Sequence, residues 1–225
     1  MEIKPIAYMK NDYKEKFGIP RQSGLIKSAV SKIVFEPEFC DSNAFRGIEG
    51  YSHLWLIWLF SENVEAGWSP TVRPPRLGGN VRMGVFATRS PFRPNPIGLS
   101  CVELDHVEYG EEGPVIYVKG ADLMDGTPIL DIKPYVPYAD SHPEASSGFA
   151  RDVFDHSMKV EIADEILERI PVEKREAVLE ILAQDPRPGY QRDQKRIYGM
   201  EYGNMNIRFR GEEDRIVVID VQHVG

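Results

Sequence analysis

The chain has 225 residues, 42% of them hydrophobic and 28% charged, with a net charge of −8, an ordinary globular mix for one large domain or a domain with a small appendage. Two cysteines, Cys40 and Cys101, exclude a disulfide framework and a four-thiolate zinc site, and each reads as a small buried residue. No apolar run approaches the roughly 18 residues of a membrane span.

The opening residues, MEIKPIAYMK, carry no signal-peptide core, and with so few cysteines this predicts a cytoplasmic protein. Short apolar segments punctuated by Gly and Pro predict strands over residues 3–8, 24–34, 54–60, 83–88, 98–104, 115–118 and 129–136. Strands this frequent, with no helical segment between them, predict an antiparallel sheet closed into a barrel or packed as a sandwich. Residues 140–155 are polar and rich in small side chains, as in a connector. The pattern then changes. Val160, Ile162, Ala163, Ile166, Leu167 and Ile170 fall on one helical face. Pro171 stops that helix or opens a second one over 172–184, and DPRPGY (185–190) ends it. Strands follow at 205–209 and 216–221, joined by the charged turn GEED.

A doubly wound nucleotide fold would show a strand, a Gly-rich turn and a helix. The sequence has no GxGxxG and no GxxxxGK[ST], so a ligand must be held by loops of a β-rich scaffold. The five histidines (53, 106, 142, 156, 223) lack ligand spacing, which predicts no metal site.

Charge is unevenly placed. Residues 66–102 contain five arginines (Arg73, Arg76, Arg82, Arg89, Arg93) and no Asp or Glu, leaving −13 for the rest. In the same stretch prolines at 74, 75, 91, 94 and 96 stiffen the backbone, glycines at 78, 79, 84 and 98 allow close approach, and Phe86 and Phe92 offer stacking faces. Rigid loops, forked cations and aromatic rings suit an RNA backbone or another anion. A stiff barrel loop with solvated arginines is the plainer alternative.

Five segments together carry a resemblance: YKEKFGIPRQSGL (13–25), GYSHLWLIWLF (50–60), RPPRLGGNVRMGVFATRSPFRPNPIGLS (73–100), DGTPILDIKPYVPYADS (125–141) and LAQDPRPGY (182–190). In this order they are similar to the tRNA threonylcarbamoyladenosine methyltransferase family, and the likeness spans nearly the whole chain. It implies a mainly β protein with a closed antiparallel β-barrel over residues 1–145 and a small α+β domain over 146–225. It implies S-adenosylmethionine as methyl donor, the exocyclic N6 of threonylcarbamoyladenosine beside the tRNA anticodon as acceptor, and a homodimer. Carried over by motif, the cofactor pocket involves Pro20, Arg21, Gln22, His53, Leu54, Arg89, Leu99, Asp125, Gly126, Thr127 and Pro128.

Taken alone, several of these are ordinary. Asp125-Gly126 is a hairpin turn, His53 a core histidine, and Pro20-Arg21-Gln22 a loop. The acceptor nitrogen lies between a purine and a carbonyl, so its lone pair is delocalised and a group that takes or holds its proton is expected. Asp131 and His53 are the sequence candidates, with Asn95 and Tyr135 positioning the base. By charge, Arg73, Arg76, Arg82 and Arg93 contact tRNA. So does the run 187–196, with four cations including Arg187 and Arg192 against one acid. Two alternatives stay open: an RNA-binding barrel without enzymatic activity, and a small-molecule methyltransferase on the same scaffold.

Overall fold

A computed structural model describes residues 2–74, 77, 80–149, 157–187, 193 and 195–224. The elements run in chain order as β1 (Ala7–Lys10), β2 (Val30–Phe35), β3 (His53–Leu59), β4 (Thr71–Val72), β5 (Met83–Gly84), β6 (Ile97–Gly110), β7 (Gly113–Lys119) and β8 (Pro128–Pro134). After these come α1 (Pro137–Asp140), β9 (Lys159–Glu161), α2 (Asp164–Leu167), α3 (Val172–Ala183), β10 (Tyr198–Tyr202), β11 (Met205–Gly211) and β12 (Arg215–His223).

Six strands close into an antiparallel barrel in the order β1-β2-β7-β6-β3-β8. The period-two alternation of side chains makes this possible. In β3, Leu54, Leu56 and Trp58 point inward while His53, Trp55, Ile57 and Leu59 point outward. Met9, Ile33, Val102, Ile116, Val118 and Ile129 complete the interior from the other five strands. Closure leaves this sheet no free edge.

A second sheet has the order β10-β11-β12-β9, with β9 parallel to β12 and the rest antiparallel. Val178, Ile181 and Leu182 of α3 pack with Ile207, Phe209 and Ile216 of this sheet. Tyr13, Ile26 and Ala29 are buried in the same core, although they precede most of the barrel in the chain. Polar ties reinforce the attachment. Ser28 donates its amide and hydroxyl to Glu180 Oε2, at 3.2 and 2.8 Å, and Lys174 pairs with Asp12 at 2.8 Å.

Several expected elements take another form. The helix expected to begin near residue 158 is replaced by β9, a turn and the four-residue α2. Val160 and Ile162 alternate as well as they fit a helical face, and pairing with Ile216 in β12 decides for the strand. Residues 83–88 supply only the two-residue β5 and a 3-10 turn. Strand β10 went unread, because Gly199 and Glu201 interrupt its apolar pattern. Both cysteines are half-buried, not enclosed. No helix among the described residues is long and apolar enough to cross a membrane.

Strands β3 and β6 align Trp58 directly with Gly98. A Cβ at Gly98 would run into the Trp58 ring, so the glycine is what lets the indole lie across the strand. Gly98→Ala is expected to lower stability by about 1–3 kcal/mol through overpacking. A reduced urea midpoint at unchanged slope is the measurement that checks it.

Candidate active site

A cavity of about 550 Å³ lies where the barrel meets the segment that reaches across to the second core. Four stretches wall it: residues 16–22, the end of β3 with the loop to Asn63, residues 88–99, and residues 122–127. Ile19, Leu59, Phe60, Ile97 and Leu99 give apolar surface; Lys16, Arg21, Arg89 and Arg93 give positive charge; Glu62 and Asp122 are the acids.

Several of the polar groups are held in place. Arg89 Nη1 donates to Gln22 Oε1, joining the Arg-rich loop to the PRQ segment. Arg93 lies over the Phe86 ring at 5.6 Å and donates to the carbonyls of Val85 (3.1 Å) and Thr88 (2.8 Å). Arg21 Nη2 reaches the carbonyls of Asp185 (3.2 Å) and Arg187 (3.3 Å), tying the PRQ segment to the end of α3. Trp58 Nε1 donates to Ser100 Oγ at 3.0 Å, and Ser100 Oγ donates to Asp122 Oδ1 at 2.5 Å. Burial pushes the Asp122 carboxyl above the usual carboxylate range. The Ser100 hydroxyl, the backbone amides of Asp122 and Ser23, and the charge of Arg89 pull against it.

Of the residues expected in the cofactor pocket, Pro20, Arg21, Gln22, Arg89, Leu99 and Thr127 line this cavity. Asp125 and Gly126 form the turn beside it. Gly126 has φ +78° and donates its amide to Met9 O at 2.8 Å, while the Asp125 amide donates to Tyr13 O at 2.9 Å. Pro128 opens β8 opposite Tyr8, and Leu54 is enclosed in the barrel. His53 stands at the other end of β3, about 20 Å along the strand from Leu59. There its Nδ1 meets Ser52 Oγ at 2.9 Å and its ring lies 6.1 Å from that of Tyr135.

Asp131 is on the barrel exterior opposite Ile57, half-exposed, and pairs with Lys133 at 2.8 Å. Asn95 is exposed in the loop before β6. Arg73 and Arg82 are exposed, with Arg82 Nη1 on Thr71 Oγ1 at 3.1 Å. Arg187 is almost fully buried and forked onto Asp185 at 2.7 and 2.9 Å, with the Asp185 carboxylate raising its pKa. Arg76 and Arg192 lie outside the described residues.

Sequence reasoning missed Trp58, Lys16, Glu62 and Asp122. Trp58 reads as core from its strand position, and Asp122 lies three residues before a motif that drew attention to Asp125 instead. No group of His, Cys, Asp and Glu side chains that could hold a metal occurs among the described residues.

Residues 8–141 match the tRNA-methyltransferase O N-terminal domain, and residues 155–224 match the TrmO C-terminal domain. The chain belongs to the tRNA-methyltransferase O family. A relative from Escherichia coli (strain K12), named tRNA (adenine(37)-N6)-methyltransferase, is 44% identical over 217 residues, spanning 93% of this chain and 92% of its own. A Pseudomonas aeruginosa relative, named putative S-adenosylmethionine-dependent methyltransferase RcsF, is 40% identical over 228 residues and 96% of its own length. The crystal structure of TrmO from that species aligns with a TM-score of 0.79 at 36% identity, covering 99% of this chain and 97% of the other. The mainly β architecture with a closed barrel is therefore that of the TrmO family.

Asp125 ties its turn, beside the cavity, to the segment that follows β1. Its Oδ1 accepts from the Asn11 amide at 3.0 Å and its Oδ2 pairs with Lys14 at 2.8 Å. Burial opposes its charge, but Lys14, the Asn11 amide and Lys10 together hold its carboxyl below the usual range. A depressed carboxyl stabilises the fold at neutral pH and ceases to do so as pH falls through the lowered value. Asp125→Asn, which keeps the acceptor but loses the ion pair, is expected to cost about 0.5–1 kcal/mol at neutral pH. Its unfolding free energy should approach that of the parent as the pH is taken below the lowered pKa of the Asp125 carboxyl.

Proposed function

We propose that the protein transfers a methyl group from S-adenosylmethionine to N6 of adenosine-37 in tRNA, and that the adenosine carries a threonylcarbamoyl group. The observation that carries this reading is the cavity itself. It gathers the PRQ segment, Arg89, Leu99 and Thr127 from three separate stretches of a chain whose Escherichia coli relative, matched over 93% of this chain, is named tRNA (adenine(37)-N6)-methyltransferase. Proposed cofactor contacts are those six lining residues, with His53, Leu54, Asp125, Gly126 and Pro128 as the remaining family positions.

The lining fits the cofactor. About 550 Å³ falls within the range of small-molecule sites. Apolar surface from Ile19, Phe60 and Leu99 suits a purine face, Arg21 and Arg89 suit a carboxylate, and Glu62 suits an ammonium group. When bound, S-adenosylmethionine supplies an electrophilic methyl whose bonding pair leaves with sulfur. The protein's own contribution is to align that methyl with the acceptor nitrogen and to handle the acceptor's proton. Arg93 and Gln22, both fixed by hydrogen bonds, keep the walls from adjusting as the reactants enter.

Exposed Arg73 and Arg82 are proposed to contact tRNA phosphates, and the threonyl carboxylate would be read by a cavity arginine. A homodimer in the cytoplasm completes the reading.

Labelled S-adenosylmethionine offered to tRNA with and without the threonylcarbamoyl group tests the proposal. Incorporation only into the modified tRNA is expected. Incorporation into neither, with the cofactor still bound, would overturn the tRNA reading. Cofactor at a hundred times its Kd should stabilise the protein by about 2.7 kcal/mol, seen as a raised melting temperature. Log-log plots of tRNA affinity against salt should fall steeply, and Arg82→Ala should reduce the slope by about one phosphate contact.

A further inference from the structure

Methyl transfer to a carbamoylated N6 leaves a proton to be disposed of, and the outward-facing Asp131 and the distant His53 do not line the cavity. Of the two acids that do, Glu62 is exposed. Asp122 is set into the wall, with Ser100 Oγ donating to one carboxylate oxygen and Trp58 Nε1 donating to that same hydroxyl. Ser100 and Trp58 are themselves buried, at 1% and 7% exposure, so the chain of donors is sheltered from water.

We propose, on the reading above, that Asp122 is the base that takes the N6 proton, and that Ser100 and Trp58 are positioning residues that hold and tune it. The balance is simple. The N6–CH3 bond forms as the S–CH3 bond breaks, the S–C pair stays on sulfur, and the N6–H pair stays on nitrogen while the proton passes to Asp122. The carboxylate ends neutral, and the sulfonium charge is discharged. A poorly solvated carboxylate gains most from accepting a proton, whereas a carboxylate in water gains little. The charged and titratable groups around Asp122 are Arg89, the Tyr13 phenol, and Lys16, Arg21, Arg93 and Glu62 of the same cavity. Of these, the charge of Arg89 favours the ionised form, against the burial that disfavours it.

The Ser100 hydrogen bond stabilises the carboxylate, so its removal raises the Asp122 pKa. The base works ionised, and activity is lost as pH falls through its pKa. A higher pKa therefore moves the acid limb of the rate profile to higher pH.

The experiment uses the full chain with threonylcarbamoylated tRNA. Asp122→Asn is expected to bind S-adenosylmethionine with unchanged affinity by calorimetry, to lose about 10²- to 10⁴-fold in kcat, and to lose the acid limb. Ser100→Ala is expected to shift that limb upward, with the same upward shift in the Asp122 carboxyl titration of the free protein followed by carbon NMR. Wild-type kcat in Asp122→Asn overturns the assignment. So does a defect confined to cofactor affinity, which would make Asp122 a cofactor contact, or a Ser100→Ala variant that moves neither titration. A wild-type protein that methylates no tRNA overturns the functional reading and the assignment with it. A competent wild type beside an unaffected variant overturns the assignment alone.

Discussion

The cavity depends on one segment serving two cores. Residues 11–29 follow β1 of the barrel, yet Tyr13, Ile26 and Ala29 are buried against α3 and the second sheet. Each such burial contributes roughly 1.5–3 kcal/mol for a large apolar side chain, well above any of the surface ion pairs that accompany it. The segment is thereby stretched from the barrel to the other core, and Lys16, Ile19, Pro20, Arg21 and Gln22 form one wall of the space it spans. The second domain is thus a structural part of the site. Arg21 makes this concrete by fastening the wall to carbonyls at the end of α3.

The opposite wall is set by register. Pairing of Trp58 with Gly98 brings the indole Nε1 to Ser100, and a bulge between Ile57 and Trp58 in the β3–β8 ladder re-aims the end of β3. One strand end therefore contributes to both the barrel interior and the cavity lining. The arginine-rich stretch divides its labour similarly. Arg93 is half-buried on two carbonyl oxygens, whereas Arg73, Arg82 and Arg89 are exposed, Arg82 on the Thr71 hydroxyl and Arg89 on the Gln22 amide oxygen. Clustering in sequence does not make these arginines equivalent.

Much of the fold was legible because the barrel strands alternate cleanly. β3 and β7 each repeat the inward-outward pattern over seven residues, and α3 announces itself through Pro171, an apolar face and the DPRP stop. The parts that were not legible are those fixed by partners distant in sequence. Val160 becomes a strand residue only because Ile216 pairs with it, and no local window contains both. The site divides the same way. The PRQ and DGTP segments stand out as motifs, and Arg89 and Leu99 lie within recognisable blocks. Asp122 becomes noticeable only when Ser100, 22 positions earlier, is seen to touch it. Arg187 shows the converse. A cation in a basic run reads as solvent-facing, but the turn at Asp185, with φ +49°, folds its carboxylate onto the guanidinium.

The parallel pairing of β9 with β12 has a consequence for biosynthesis. The barrel needs nothing beyond residue 134 and can close while the ribosome is still at work. The second sheet cannot: β9 must wait for β12, the last strand among the described residues. Throughout that delay the nascent protein carries Tyr13, Phe17 and Ile26 without the core that will cover them. The cavity wall formed by residues 16–22 is therefore backed by its second core only once β12 has been made.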